Sequence, residues 1–463
     1  MNENIPISGL ARVESGSASA TLTANAPNTT TSGTSIEINF TLTNVDSEPN
    51  GYILDVMIPE EWSVVDHSDD GGTWESSDGK WLWQTILVDE SVSPSVTLEV
   101  PSEISEGDYS YTAEAIDVSG TQDSVTSTIY VKETISELWK FKVGSRIQYS
   151  TPETSKNHVY VGGLGSTVSC IDQITGSTVW EFDRSGSLSD SSPVLAGDQL
   201  FIGGGGGNMY SLNPTDGSVN WKTEVDSAIV SSPAVDSTAV YFGANDGSLL
   251  ALSQSNGDIK WRIKKDAPIY SHPAVTNGNL FVTTDGGTVF AVDKKDGSQI
   301  WKTNVGDNMG HASPVVSHGV VYVAGEVVSA IDAELGSLIW ETNHGGSVGC
   351  TPTVVGGSLY IGSAGNTVYS IGTSEGAVEW TAQTDGVVRS SPVKTGEQVV
   401  VGSEGGKIYL ISASTGSITN QQSVDGQVIS SPVIDDGKAY IGTNSGNVLA
   451  LELRKLRGES LAL

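Results

Sequence analysis

Cysteine is nearly missing from this chain. Cys170 and Cys350 are the only two among 463 residues, and they form no CxxC or Cys/His cluster. A structural zinc centre and a disulfide framework are therefore excluded as organising principles. Basic residues are scarce too: 23 Lys and Arg stand against 55 Asp and Glu, a net charge of −32. That excludes sequence-independent nucleic-acid binding, which needs a basic footprint on phosphate, and adsorption to anionic lipid headgroups. No apolar run reaches the roughly 18–20 residues that span a bilayer. The start, MNENIPISGLARVESGSAS, has no apolar h-region. Either the chain is cytosolic or a targeting segment is missing from this sequence. What is abundant is glycine, 54 residues, an excess that points to many turns and away from a helical protein.

The acidity is uneven. Residues 1–133 hold 23 acids and 3 bases, a net of −20, whereas residues 134–463 hold 32 acids and 20 bases, a net of −12. A dense acidic surface suits a very salty medium, where screening is nearly complete; an ordinary acidic secreted domain is the alternative. The first part alternates apolar and polar residues in segments such as SIEINFTLTNV (35–45), SVTLEVP (95–101) and YSYTAEAIDV (109–118). About seven such segments, separated by Gly, Asn, Asp and Ser turns, predict a β-sandwich of immunoglobulin-like architecture over 17–133, after a tail at 1–16. Within it, Asp66, Ser68 and Asp70 occupy positions 1, 3 and 5 of a calcium-loop pattern with Gly71 at 6, but Ser77 stands where the closing glutamate belongs. A solvated acidic hairpin tip is the preferred reading, with calcium unsupported.

The second part is a repeat. Proline recurs at 152, 193, 233, 273, 314, 352, 392 and 432, at spacings of 38–41 residues, in settings such as STP, SSP and SHP. Trp139, Trp180, Trp221, Trp261, Trp301, Trp340 and Trp380 each precede a proline by twelve or thirteen positions, and Asn420 takes the eighth place. Between them lie pieces such as VYVGG or LYIGS, then VFAVD or VLALE, then a Gly-closed turn. A 40-residue all-strand period predicts propeller blades of four strands. The solitary Trp strand at 135–144 supplies what the last copy lacks, so the eighth blade is expected to be built from both ends of 134–453. Closure removes two bare sheet edges. Each tryptophan is read as a wedge between neighbouring sheets, its N–H on a backbone acceptor. The stretch GGGGGN (203–208) is read as a hairpin turn, because it contains no GKS/T and opens no helix. Residues 454–463, with the basic cluster Arg454, Lys455 and Arg457, are read as a solvated tail.

These copies resemble the PQQ-like repeat of quinoprotein-type propellers over about 320 residues, and the piece 72–101 resembles Ig-like modules in surface proteins of halophilic archaea. The first resemblance covers quinoprotein dehydrogenases, bacterial outer-membrane assembly lipoproteins and uncharacterised surface proteins. A dehydrogenase of that kind would imply PQQ over a calcium ion, a catalytic Asp, a disulfide of adjacent cysteines and long pocket-building insertions. None of the last two features is present, and bases that could clamp a tri-anionic cofactor are sparse. PQQ-dependent dehydrogenase activity is thus the alternative. The expected role is that of a non-enzymatic, extracellular or cell-surface binding or scaffold protein, expected to be monomeric, with a protein or surface partner. The residue three before each proline is expected to face the central channel: Tyr149, Asp190, Val230, Tyr270, His311, Gly349, Arg389 and Ile429. Of these, Tyr149, Asp190, Tyr270, His311 and Arg389 make a candidate polar ring. His311 and Arg389, taken as non-packing residues, are the expected holders of an anionic or metal ligand.

Overall fold

The computed structural model describes residues 20–453 except 28, 32–33, 47–49, 61, 76–79, 88, 102–106, 118–119, 133–134, 185, 187–189, 277, 307–308 and 347–348. The basic cluster at 454–457 and the tail at 1–16 lie outside them. All regular structure among the described residues is strand. The chain divides into two compact units, with the second running from Ile135 to Leu453.

In the first unit, alternation decides which side chains go inside. Ser35–Asn44 (SIEINFTLTN) buries Ile36, Ile38, Phe40 and Leu42 and turns the residues between them outward, apart from the last pair. That strand pairs with Ala20–Asn25, with Ser95–Glu99 and, at its end, with Ser91–Val92; Ser63–Ser68 forms the far edge of the sheet. The second sheet is built around Gly107–Asp117, between Gly120–Lys132 and Asn50–Met57, with Lys80–Ile86 and Thr73–Glu75 beyond the latter. The inner faces share one apolar core, in which Phe40 of the first sheet meets Tyr111 of the second edge-on at 6.4 Å. One pair is parallel, Thr29–Thr31 against Tyr130–Lys132.

The segments at 29–31, 63–68, 73–75 and 91–92 are additional strands. Ser63–Ser68 bears on the weak calcium-loop candidate and on the hairpin tip preferred to it. Asp66 and Ser68 lie on this edge strand rather than wrapping round a centre, and Asp70 sits in the following turn, where its carboxylate accepts the Ser93 N–H at 2.5 Å. Among the described residues, no cluster of three potential metal-ligating side chains occurs.

The second unit contains eight four-stranded antiparallel sheets. Seven are contiguous in sequence, for example Ala234–Val235, Ala239–Gly243, Ser248–Ser253 and Ile259–Lys264. The remaining sheet joins Val433–Asp435, Lys438–Gly442 and Asn447–Leu453 to Ile135–Lys142, which pairs antiparallel with Asn447–Leu453. In most sheets the two middle strands are almost wholly buried, as in QLFIG (199–203) and NMYSL (208–212). Continuous burial of this kind comes from apolar neighbours on both faces. The GGGGGN stretch is the turn between those two strands.

Two kinds of contact join neighbouring sheets. The first uses tryptophan. Nε1 of Trp139, Trp180, Trp221, Trp261, Trp301, Trp340 and Trp380 donates, at 2.9–3.0 Å, to a backbone carbonyl 32–34 residues on. That carbonyl lies in the turn of the following sheet. The glycine closing the same turn lies against the indole: at Gly257 (φ +75°) a Cβ would fall 2.6 Å from Cε3 of Trp221. The second contact explains the residues before each proline. The hydroxyl of the residue immediately before it accepts a backbone N–H from the preceding repeat, as in Thr151 N–H to Ser192, Ser192 N–H to Ser232 and Ser391 N–H to Ser431. The residue one position earlier reaches the neighbour's backbone. Ser430 donates to the Ser150 carbonyl at 2.9 Å, linking the last repeat to the first, and also accepts the Gly442 N–H.

Candidate functional site

A cavity of about 370 Å³ is lined by the segments around the eight repeat prolines. Each of these segments contributes the residue three before its proline, so Tyr149, Asp190, Val230, Tyr270, His311, Gly349, Arg389 and Ile429 all lie on the wall. The next inward-facing level is Thr151, Ser192, Ser232, His272, Ser313, Thr351, Ser391 and Ser431, and Glu153 marks the level beyond it. These two levels lie in the non-strand segments just before each proline, and the first strand of each sheet begins one residue after it.

The five polar and aromatic ring residues do not form an open funnel. Tyr149 and His311 belong to repeats four apart, yet their rings stack at 4.0 Å, and Tyr270 also stacks on His311 at 5.4 Å. His311 is thus a packing residue, which corrects the expectation above. Burial pushes its pKa down to about 4, so the imidazole is neutral at pH 7. Its neighbour in the next repeat is Gly349, where a Cβ would come 3.1 Å from the His311 backbone nitrogen.

Arg389 is not a free cation either. Its Nε is ion-paired with Glu404 and its side chain also hydrogen-bonds Tyr149. The chain Glu404–Arg389–Tyr149–His311–Tyr270 therefore forms a strut across the cavity. Glu404 follows the Gly402 end of a middle strand, where no local sequence pattern distinguished it from other turn acids.

Asp190 is different. It accepts the Tyr149 backbone N–H, but burial pushes its pKa up to about 6, and Oδ1 has no hydrogen-bond partner among the described residues. Its charged neighbour is Arg184, fully buried, whose guanidinium donates to the carbonyl oxygens of Gly203, Gly163 and Gly165. Sequence reading missed Arg184. It occupies the position four after Trp180, where other repeats have Val143, Val225, Val305 or Val424. His272 was missed also. It replaces the usual hydroxyl before proline, hydrogen-bonds the Ser232 backbone, and has its pKa lowered by burial. Glu153, the one acid at its level, is shifted upward by burial. Cys170, on the strand Thr167–Asp172, and Cys350, two residues before Pro352, are both buried, and burial pushes both thiols up to about 12, which leaves them protonated at neutral pH.

A ring of four-stranded sheets with these contacts defines a β-propeller-type protein of the PQQ-like repeat class. The chain belongs to the family described as Outer membrane protein assembly factor BamB, whose model matches residues 73–190, 164–272, 266–326 and 324–459. Among solved structures it is similar to BamB from Moraxella catarrhalis, with 17% identity and a TM-score of 0.59. That match covers 69% of this chain and 100% of the other. It is also similar to the quinohemoprotein alcohol dehydrogenase of Comamonas testosteroni, with 13% identity, a TM-score of 0.59, and coverage of 72% and 78%. The computationally designed protein Ika8 matches at 16% identity and a TM-score of 0.60, covering 68% and 99%. At such identities the likeness is one of fold. No curated protein matches.

Proposed function

We propose that this chain is a non-enzymatic interaction protein: an eight-bladed closed propeller, with 135–142 completing the last blade, preceded by an Ig-like sandwich. The reading places it outside the cell or on its surface, with a protein partner. A family described by an outer-membrane assembly factor supports that direction. The acid-rich surface supports a halophilic setting.

The observation that carries the non-enzymatic reading is the strut. A PQQ-type cofactor is a tri-anionic plane that requires cations and an aromatic slot. Here the ring residues Tyr149 and Tyr270 both stack on His311, and Arg389, the one Lys or Arg on the cavity wall among the described residues, is held by Glu404. Asp190 and Glu153 add acid where an anion would lie. These residues do not fit the cofactor.

The test is reconstitution with PQQ and calcium, followed by dye reduction with alcohols and sugars. We expect no bound chromophore and no turnover. Substrate-dependent reduction would establish the dehydrogenase reading in its place.

A further inference from the structure

The repeat prolines and the first strands line the cavity, so the fourth strand of each sheet lies at the outer rim, with one edge unpaired among the described residues. Exposed aliphatic side chains recur on these strands all round the second unit. Charge is not so evenly spread. Residues 222–302 hold eight bases and nine acids, whereas 303–388 hold eight acids and no Lys or Arg. The first stretch includes the rim strands Ile259–Lys264 and Gln299–Asn304 and the end of Val219–Glu224, which expose Lys260, Lys302 and Lys222. None of these three is in an ion pair among the described residues; Lys222 lies over the Tyr210 ring and Lys260 donates to the Thr238 carbonyl. The second stretch supplies Leu338–Asn343 and Val378–Gln383, which expose Glu341 and Glu379, with Glu334 and Glu375 exposed in the turns before them. Where the two stretches meet, aliphatic exposure is densest. Nε1 of Trp301 donates to the Ala333 carbonyl, which brings the strand bearing Ile300 against the turn bearing Leu335. Leu335 is 72% exposed, and Ile300, Leu338 and Ile339 are each about half exposed. The other strongly exposed turn residue, Ile174, lacks such flanks: Glu181 and Asp183 follow it, and Lys140 is already paired with Asp425.

We propose that this part of the rim, running from Lys222 to Glu379 and centred on Leu335, is the contact surface for a second copy of this chain in a two-fold dimer. The inference goes beyond the interaction role under Proposed function by giving one partner. Because the basic and acidic arcs adjoin, a two-fold axis beside their junction, parallel to the axis of the ring, sets each basic arc opposite the acidic arc of the other copy. Both contacts then form together and the assembly closes at two. Opposite charges on the flanks fix the orientation, while burial of the aliphatic centre supplies affinity. An unrelated acidic protein would use the lysine arc alone and leave the base-free arc without a role. On this reading the chain is a dimer rather than the monomer expected from its sequence.

Sedimentation equilibrium of the full chain in about 0.3 M potassium chloride tests this. At that salt the repulsion between copies of net charge −32 is screened over less than about 10 Å, while groups in contact still interact. We expect a reversible monomer–dimer equilibrium. Leu335→Asp should weaken the dimer about tenfold or more, and Ile174→Asp should leave it unchanged. Two charge reversals carry the main comparison. Lys222→Glu with Lys302→Glu, and separately Glu334→Lys with Glu375→Lys, should each weaken the homodimer about tenfold or more. An equimolar mixture of these two variants should restore a dimer with one copy of each, because both arcs again meet opposite charge. All the altered positions are exposed, and an unchanged melting temperature shows that a variant is folded. If Leu335→Asp does not fold, the mixture decides alone. A chain that is monomeric at every concentration, or a dimer indifferent to both reversals, overturns the proposal. So does loss on reversing the lysines without rescue in the mixture, which would assign them to a different acidic surface. None of these results touches PQQ-dependent turnover, so the non-enzymatic reading stands or falls separately.

Discussion

At the scale of single residues, the indoles bind neighbouring sheets by two separate contacts, a hydrogen bond to the turn and a face against its glycine. Trp221→Ala should therefore cost about 3–5 kcal/mol, as truncation of a large buried side chain does. The half-buried Trp340 should cost less. Gly257→Ala should also destabilise, since its φ of +75° and its approach to Trp221 both oppose a Cβ. Denaturant unfolding of the three variants checks the order; equal losses for Trp221 and Trp340 would contradict the burial argument. A second residue-scale consequence concerns acid. His344 is fully buried, neither ring nitrogen has a hydrogen-bond partner among the described residues, and burial lowers its pKa to about 4. The unfolded chain, with an ordinary histidine near 6.5, binds more protons between those values. Stability is thus complete above pH 6.5 and lost as pH falls toward 4, by roughly 3 kcal/mol from this group. Asp190 works in the opposite direction over part of that range, because its raised pKa favours the protonated form in the fold. His344→Phe should flatten the fall in melting temperature between pH 7 and 4.5. A variant as acid-sensitive as the parent would show that another group carries it.

At the scale of elements, the repeat was legible because glycine, proline and tryptophan mark backbone geometry and packing directly. The hydroxyls before proline were visible as a pattern, but their use was not. That Ser192 accepts from Thr151 while Ser430 donates to Ser150 is a relation between repeats, and no period within one copy reports it. The strut was hidden for the same reason, since Tyr149 and His311 meet across four repeats. In the first unit the missed strand Ser63–Ser68 has almost no buried face, so alternation carried no signal there. The element with the largest expected effect is Ile135–Lys142, which lies 305 positions or more from its partner strand in sequence. Deleting residues 1–130 retains it; deleting 1–145 removes it and bares the edge of Asn447–Leu453. The shorter deletion should leave the second unit's melting temperature and solubility nearly unchanged, whereas the longer should lower both. Equal behaviour of the two truncations would refute the role of this strand in closing the sheet.

At the scale of the whole molecule, charge is the dominant property, and it is concentrated at one end. Residues 1–133 have a net charge of −20 against −12 on the remaining 330. Lys80 and Lys132 are the only lysines in that first part, so exposed carboxylates there have few partners and mutual repulsion is relieved mainly by counterions. Screening length falls from about 10 Å at 0.1 M salt to about 3 Å at 1 M. Acidic residues adjacent in sequence, such as Asp69 and Asp70, are shielded only toward the upper end of that range. The first unit should accordingly gain stability up to molar potassium chloride, and more steeply than the second. Chloride is the appropriate salt, because sulfate strengthens burial in any protein by exclusion from its surface. Calorimetry of the full chain across a chloride series separates the two units as two transitions if they unfold independently. Convergence of the transitions toward dilute buffer, with the first unit already at full stability there, would refute the halophilic reading.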